Sequence, residues 1–339
     1  MSGFLSVIVS TYNRPGALRL VLEGYARSSS GAFEVIVADD GSTDETGDVV
    51  AEAARRSGFP IRHVRQEHRG FRLAAARNLA VRAASGDVFL FTDGDCIPFP
   101  DSLDEPSARC RPGQAVTGDR CLLSREETER LLPREARVED LFAAARRRDR
   151  GRLRALRWKN RFYGWTGLKA RPKLLTANAA VHRADFERVN GFDERFVGWG
   201  YEDEDLARRL RRAGVRILDA SLESLVLHLF HPIHESHRPS ARHGENYRYF
   251  RQRSFLTRPL LGLSTRKVED LSIGILGDAP PCLGEIPRSG GSARHEVTVV
   301  FGTRRASMVR PEGEVILHLP AQPPLESLAE LHEILRAKL

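Results

Sequence analysis

The chain has few cysteines: Cys96, Cys110, Cys121 and Cys282, four in 339 residues. None forms a CxxC pair, and their spacings suit neither a zinc site nor a dense disulfide framework. Such sparse usage leads us to expect a reducing compartment. No apolar run approaches the length of a membrane span. No basic stretch followed by an apolar core is seen near Met1, so no signal peptide is expected. No GxGxxG follows the first strand-like run, which argues against a dinucleotide dehydrogenase. We find no internal repeat. The expected location is the cytoplasm, with peripheral contact at the inner face of a membrane as a further option.

What is present is ordinary for a globular chain: 41% hydrophobic and 29% charged residues, with a net charge of +8. That balance admits anionic partners such as nucleic acid, a phosphorylated substrate or an anionic membrane, and equally admits arginines on solvated faces.

Phe4 to Val9 reads as a buried strand. Pro15 then stands at a plausible first helical position, with Leu18, Val21, Leu22 and Tyr25 at helical spacing. A second strand, Phe33 to Ala38, ends in Asp39-Asp40-Gly41-Ser42. Ser42 and Glu45 have capping-box spacing, which predicts a helix start there. A weaker strand at Ile61 to Val64, a helix over Arg72 to Ala84 and a strand at Val88 to Phe91 follow. That last strand runs into Thr92-Asp93-Gly94-Asp95.

Alternating strands and helices predict an α/β fold with a mostly parallel sheet. Ligands of such sheets bind beyond the carboxyl ends of the strands. That rule singles out Ser10-Thr11-Tyr12-Asn13, Asp39-Asp40-Gly41-Ser42 and Asp93-Gly94-Asp95.

Two carboxylates flanking a glycine can converge on one hard cation that also bridges phosphates. A plain Asp-Gly turn is the bland alternative. Asp40 can accept from a nucleobase N–H or a ribose hydroxyl, and Tyr12 can stack on a base. Helix capping competes for Asp40, but Ser42 or Asp44 is expected to take that task and leave Asp40 free. Arg77, followed by Asn78, can pair with Asp93 or a phosphate oxygen; a solvated surface arginine is the alternative.

Further on, the region 125–172 is polar and strongly basic. Arg146, Arg147, Arg148, Arg150, Arg152, Arg154, Arg157, Lys159 and Arg161 are interleaved with Trp158, Phe162, Tyr163 and Trp165. The cluster suits an acceptor cleft, a lipid-linked pyrophosphate, an anionic membrane or a nucleic acid. The last would show steep salt dependence, and nucleic acid is not the expected partner. A strand is predicted at Leu174 to Val181.

Trp199-Gly200-Tyr201-Glu202-Asp203 then places aromatics beside carboxylates. Aromatic faces pack on sugar rings, and a neighbouring carboxylate can act as general base. A helix is expected to begin just after these carboxylates, its dipole favouring the ionised acid at some cost in basicity. An ordinary acidic first turn is the alternative. The strand Leu225 to Phe230 carries His228, with His231, His234 and His237 at three-residue spacing. A neutral imidazole among them can complete a Mn²⁺ site at Asp95. Beyond 264 we expect two strands, Glu296 to Phe301 and Glu314 to Leu319, and a helix with Leu325, Leu328, Leu331 and Leu335.

Ser6-Val7-Ile8-Val9-Ser10-Thr11-Tyr12-Asn13, Val37 to Asp44, Ala76-Arg77-Asn78 and Phe91 to Asp95 together resemble the family-2 glycosyltransferases of the GT-A fold. Gly198-Trp199-Gly200-Tyr201-Glu202-Asp203 is similar to the acceptor motif of β-1,4-galactosyltransferases and bacterial chondroitin-polymerase-like enzymes. The resemblance covers about the first 255 residues. It implies inverting single displacement from a nucleotide-diphosphate sugar, a UDP-sugar first, to a hydroxyl of a glycan, lipid-linked or small-molecule acceptor, as in polysaccharide biosynthesis. The implied cofactor is Mn²⁺ or Mg²⁺.

By the same resemblance, Asp203 is the base with Glu202 near the acceptor, and Trp199, Gly200 and Tyr201 complete the acceptor site. Asp93 and Asp95 hold the metal and the ribose-diphosphate, with His228, then His231, as the next metal ligand. Ser10, Thr11, Tyr12, Asn13, Asp40 and Arg77 line the donor site. Tyr201 departs from the glycine usual at its position. Retaining N-acetylgalactosaminyltransferases have Asn after the Glu, so Asp203 favours inversion.

The expected domains are 1–264, split into a donor half 1–115 and an acceptor half 116–264, and a small α+β accessory region 265–339. A sugar-nucleotide nucleotidyltransferase is the enzymatic alternative, although Ser10 to Arg14 lacks its glycine-rich basic loop. A basic nucleic-acid-binding protein is the non-enzymatic one.

Overall fold

The computed structural model describes residues 3–28, 32–133, 135–168, 172–232, 244–251, 256–277, 280–283, 286, 295–301, 313–319 and 327–338. In chain order the elements are β1 (Leu5–Thr11), α1 (Pro15–Ala26), β2 (Phe33–Asp39), α2 (Thr46–Arg56), β3 (Ile61–Arg65), α3 (Leu73–Ala83), β4 (Val88–Asp93) and β5 (Cys96–Pro98). Then come α4 (Asp104–Arg109), β6 (Gln114–Thr117), β7 (Asp119–Leu122), α5 (Arg125–Leu131), α6 (Val138–Thr166), β8 (Asn178–His182), α7 (Arg183–Arg188) and α8 (Glu202–Arg212). The chain continues through β9 (Arg216–Asp219), β10 (Leu225–His228), α9 (Glu245–Phe250), β11 (Ile273–Gly277), β12 (His295–Phe301), β13 (Gly313–Leu319) and α10 (Leu328–Lys338).

The fold is α/β. The central sheet has seven strands in the order β3-β2-β1-β4-β8-β6-β9. Its pairs are parallel except those on either side of β8, which runs antiparallel to both β4 and β6. Strands buried on both faces read as continuous apolar runs, and here successive residues divide between two cores. Val7, Val9, Val35, Val37 and Leu90 join the α1 and α6 side. Ile8, Ile36, Ala38, Phe89 and Phe91 join the side holding α3, α7 and α8.

A second sheet, β5-β10-β7, lies beyond the end of β4. Its register sets His228 opposite Cys96, and the Leu229 N–H donates to the Asp95 carbonyl at 2.9 Å. The parallel sheet β11-β12-β13 forms a third core with α10, through Ile275, Val297, Val299, Leu331 and Leu335.

Several boundaries differ from expectation. The α2 helix starts at Thr46 without a side-chain cap. Ser42 makes no capping box: its hydroxyl accepts from the Asn13 N–H at 2.9 Å and its own N–H donates to Asp39 at 2.7 Å. Asp44, one residue ahead of the cap position, accepts from the Thr46 N–H at 3.0 Å. The strand expected from Leu174 begins only at Asn178. The basic region, assigned no element from sequence, is the 29-residue helix α6. In the tail, β12, β13 and α10 lie where expected and β11 was missed; Leu325 lies outside the described residues.

Candidate active site

Parallel pairing aligns Thr11 with Asp39 and Ser10 with Asp93, so the ends of β1, β2 and β4 form one acidic rim. Gly94 lies against β1: its N–H donates to the Ser10 carbonyl at 2.7 Å. A Cβ on Gly94 would stand 3.0 Å from that oxygen and 3.1 Å from Thr11 Oγ1. The glycine between the two aspartates is therefore favoured by close backbone approach, not by the turn alone.

Arg77 is the hub. Only 1% exposed, it donates from Nε to Ser10 Oγ (3.1 Å), from Nη1 to Thr176 Oγ1 (2.9 Å) and from Nη2 to Asp93 Oδ1 (3.0 Å). Its Nη1 also lies 3.7 Å from Glu202 Oε1. One guanidinium thus joins β1, β4, the segment before β8 and the first turn of α8. Only the fixed fork of arginine supplies so many directed donors. Asn78 fastens the approach to α8 by donating to the Phe192 carbonyl and Glu194 and accepting from the Phe192 N–H.

At the other end of the rim, Asp95 accepts from Arg14 Nη1 at 2.9 Å. His228 Nε2 lies 3.7 Å from Asp95 Oδ1, and His231 Nε2 lies 3.5 Å from Oδ2. One ligand atom each from Asp95, Cys96 and His228 fall within 4.8 Å of one another. Burial lowers the His228 pKa, against the pull of Asp95, and keeps its imidazole neutral. Burial and the adjacent Asp95 and Asp93 charges push the Cys96 thiol well up, so it stays protonated. His234 and His237 lie outside the described residues.

On the nucleotide side, Tyr12 is exposed and stacks on His68, ring centroids 4.2 Å apart. Asn13 adopts φ 48°, and its side-chain oxygen accepts from Thr43 N–H. Asp40 is not free as expected: its carboxylate accepts from Gln66 at 2.5 Å and from the Arg72 N–H at 2.9 Å. The Thr11 hydroxyl oxygen is buried and unpartnered among the described residues.

The acidic motif lies inside α8 rather than ahead of it, with Glu202, Asp203, Glu204 and Asp205 in its first turn. Gly198, Gly200 and Tyr201 take φ of 82°, 96° and 74°. The last value explains why glycine suits that position: Tyr201 carries left-handed strain of about 1–2 kcal/mol. Its ring stacks on Phe250 at 5.2 Å. Trp199 is exposed beside it.

Asp203 departs furthest from expectation. Its pKa is pushed up to about 7, first by burial, then by Glu202 and Glu204. Desolvation and like charge outweigh the helix dipole, so basicity is gained rather than lost. Burial also raises Glu202, against the pull of Arg77, and Glu202 Oε2 has no partner among the described residues.

Sequence reasoning passed over Arg14, Thr176, His68 and Cys96. Arg14 and Cys96 sit directly beside singled-out motifs, and adjacency was the available signal. Thr176 and His68 come from loops with none.

Residues 6–162 match the model of glycosyl transferase family 2, and residues 159–233 match that of the N-terminal domain of galactosyltransferase. Validoxylamine A glucosyltransferase of Streptomyces hygroscopicus subsp. jinggangensis is 34% identical over 238 residues, covering 62% of this chain and 52% of its own. Chondroitin synthase of Escherichia coli is 28% identical, covering 62% and 32%. A mannosyltransferase from Pyrobaculum calidifontis, solved with GDP-Man and Mn²⁺, is similar at 23% identity and TM-score 0.47, covering 67% and 57%.

An α/β chain with an acidic rim at the carboxyl end of its sheet is the class that the fold and site define. Its residues 6–162 resemble glycosyl transferase family 2, and the match continues into a galactosyltransferase-type region, as the motifs led us to expect. The chain spans about half the length of the validoxylamine A glucosyltransferases it matches.

Proposed function

We propose that this chain transfers a sugar, with inversion, from a nucleoside-diphosphate donor, UDP-sugar first, to a hydroxyl acceptor. The observation that carries the reading is the Arg77 hub, which draws Asp93 on the donor rim and Glu202 on the acceptor motif to one guanidinium.

The residues present fit a divalent cation. Asp95 and a neutral His228 offer an oxygen and a nitrogen within reach of each other, and His231 adds a second nitrogen. That mixed donor set favours Mn²⁺ over the all-oxygen preference of Mg²⁺, and the protonated Cys96 thiol does not compete. When bound there, the cation would supply charge stabilisation to the diphosphate leaving group. Asp93 stands on the same rim, steered by Arg77 toward the ribose and phosphates.

Tyr12, backed by His68, offers its outer face to the nucleobase, with Ser10, Thr11, Asn13 and Asp40 beneath. Arg77 holds Asp93 and Glu202 in place and opposes the rise in pKa that burial imposes on both. Trp199, Gly200 and Tyr201 line the acceptor side. The unpartnered Glu202 Oε2 accepts from an acceptor hydroxyl. Asp203 takes the proton of the attacking hydroxyl, a task for which a value near neutrality is well matched. The tail beyond 264 stays an accessory region, in keeping with its separate core and with family matches that end at 233.

The test is turnover of an α-linked UDP-hexose on soluble saccharide acceptors with Mn²⁺, read by proton NMR of the product anomer. A β-linked product is expected. An α-linked product, or free sugar-1-phosphate in its place, would remove the inverting assignment.

A further inference from the structure

The basic run of α6 divides into two sets. Arg146 donates to Asp101, Arg148 to Glu127, Arg152 to Asp119 and Arg157 to Glu223, and these bonds fasten the helix to the body. Arg147, Arg150, Arg154 and Arg161 are exposed and, among the described residues, enter no ion pair. At roughly 100° per residue, these four and Trp158, Phe162 and Trp165 fall within an arc of about 120°. The buried residues Val138, Ala145, Leu153 and Asn160 occupy the opposite side.

The outward face is also graded along its length. Arg147, Arg150 and Arg154 come first; Trp158, Phe162 and Trp165 follow with Arg161 among them, and Trp158 stacks on Phe162 at 5.5 Å. Trp158 is 69% exposed, Trp165 86%, and Leu168, just past the helix end, 73%. Large apolar side chains grouped on a surface mark an interaction site.

From this arrangement we infer that the outward face of α6 is a docking surface for an anionic lipid bilayer. Indole rings favour the boundary between headgroups and acyl chains, and arginines beside them meet anionic headgroups. Leu168 decides against a nucleic acid: an aliphatic chain gives a base nothing to stack on, but it inserts readily among acyl chains. The inference stands apart from the transferase reading.

The test uses the full chain with vesicles of phosphatidylcholine alone, or mixed with phosphatidylglycerol, some carrying brominated acyl chains. Co-sedimentation with the mixed vesicles only is expected, weakened by added salt. Each arginine reversed in Arg147→Glu, Arg150→Glu and Arg154→Glu should weaken binding about fivefold or more. Bromine should quench the tryptophan emission of the native chain and leave the residual emission of a Trp158→Ser, Trp165→Ser variant unchanged. Far-ultraviolet circular dichroism of each variant should match the parent, since the replaced side chains are exposed. Equal binding to neutral vesicles, no quenching, or capture by an oligonucleotide or sulfated glycan without capture by vesicles would each overturn the lipid assignment.

Discussion

Replacing Asp203 by asparagine separates two consequences of one carboxylate. Its pKa is about 7 in the fold against an ordinary 3.8. At 1.36 kcal/mol per unit, ionising it within the fold costs on the order of 4 kcal/mol. The folded value lies above the unfolded one. The cost is therefore absent below about pH 4, grows between about pH 4 and 7, and is present in full above pH 7. Glu202 and Glu204 share the repulsion, which leaves roughly 1–3 kcal/mol for a single neutralisation. Asp203→Asn should thus raise the melting temperature by about 2–5 °C at alkaline pH and leave it unchanged at acid pH. The same change removes the proton acceptor, and kcat should fall by about 10²–10⁴ while nucleotide affinity holds. Melts across pH, turnover assays and calorimetric nucleotide titration read the three outcomes. Destabilisation at alkaline pH would refute the electrostatic reasoning, and undiminished turnover would refute the role as base.

The native enzyme should show a kcat that rises through about pH 7 as Asp203 ionises, and Asp203→Asn should flatten that limb in a pH–rate profile. Arg77→Met strands the Asp93 and Glu202 carboxylates and should cost about 3–5 kcal/mol in urea unfolding; Arg77→Lys, lacking the planar fork, should recover only part. Gly94→Ala drives a methyl against the Ser10 carbonyl and should weaken Mn²⁺-dependent nucleotide binding with little change in folding, as seen by calorimetry beside a thermal melt.

The donor half was legible because β1, β2 and β4 are buried on both faces. Their sequences are unbroken apolar runs, and the polar residues that end them stand out. The partnership of Arg77 with Asp93 was legible for the same reason. Fine placement was not. Ser42 has capping-box spacing, yet its hydroxyl serves Asn13, 29 residues away in sequence. Asp40 was read as free because its partners Gln66 and Arg72 come from a loop without periodicity. The helix α6 hid in a basic segment because its buried face is narrow: Val138, Ala145, Leu153 and Asn160 are its buried residues. The raised pKa of Asp203 reflects burial in the folded chain first and the charges of Glu202 and Glu204 next, and reasoning from a helix dipole alone does not see the burial.

The most direct test of the central claim is calorimetric titration of UDP into the chain with Mn²⁺ present, with Mn²⁺ removed by chelation, and with Asp95→Ala in its presence. The account predicts binding in the first case alone. Equal binding in all three, or none in any, would contradict it.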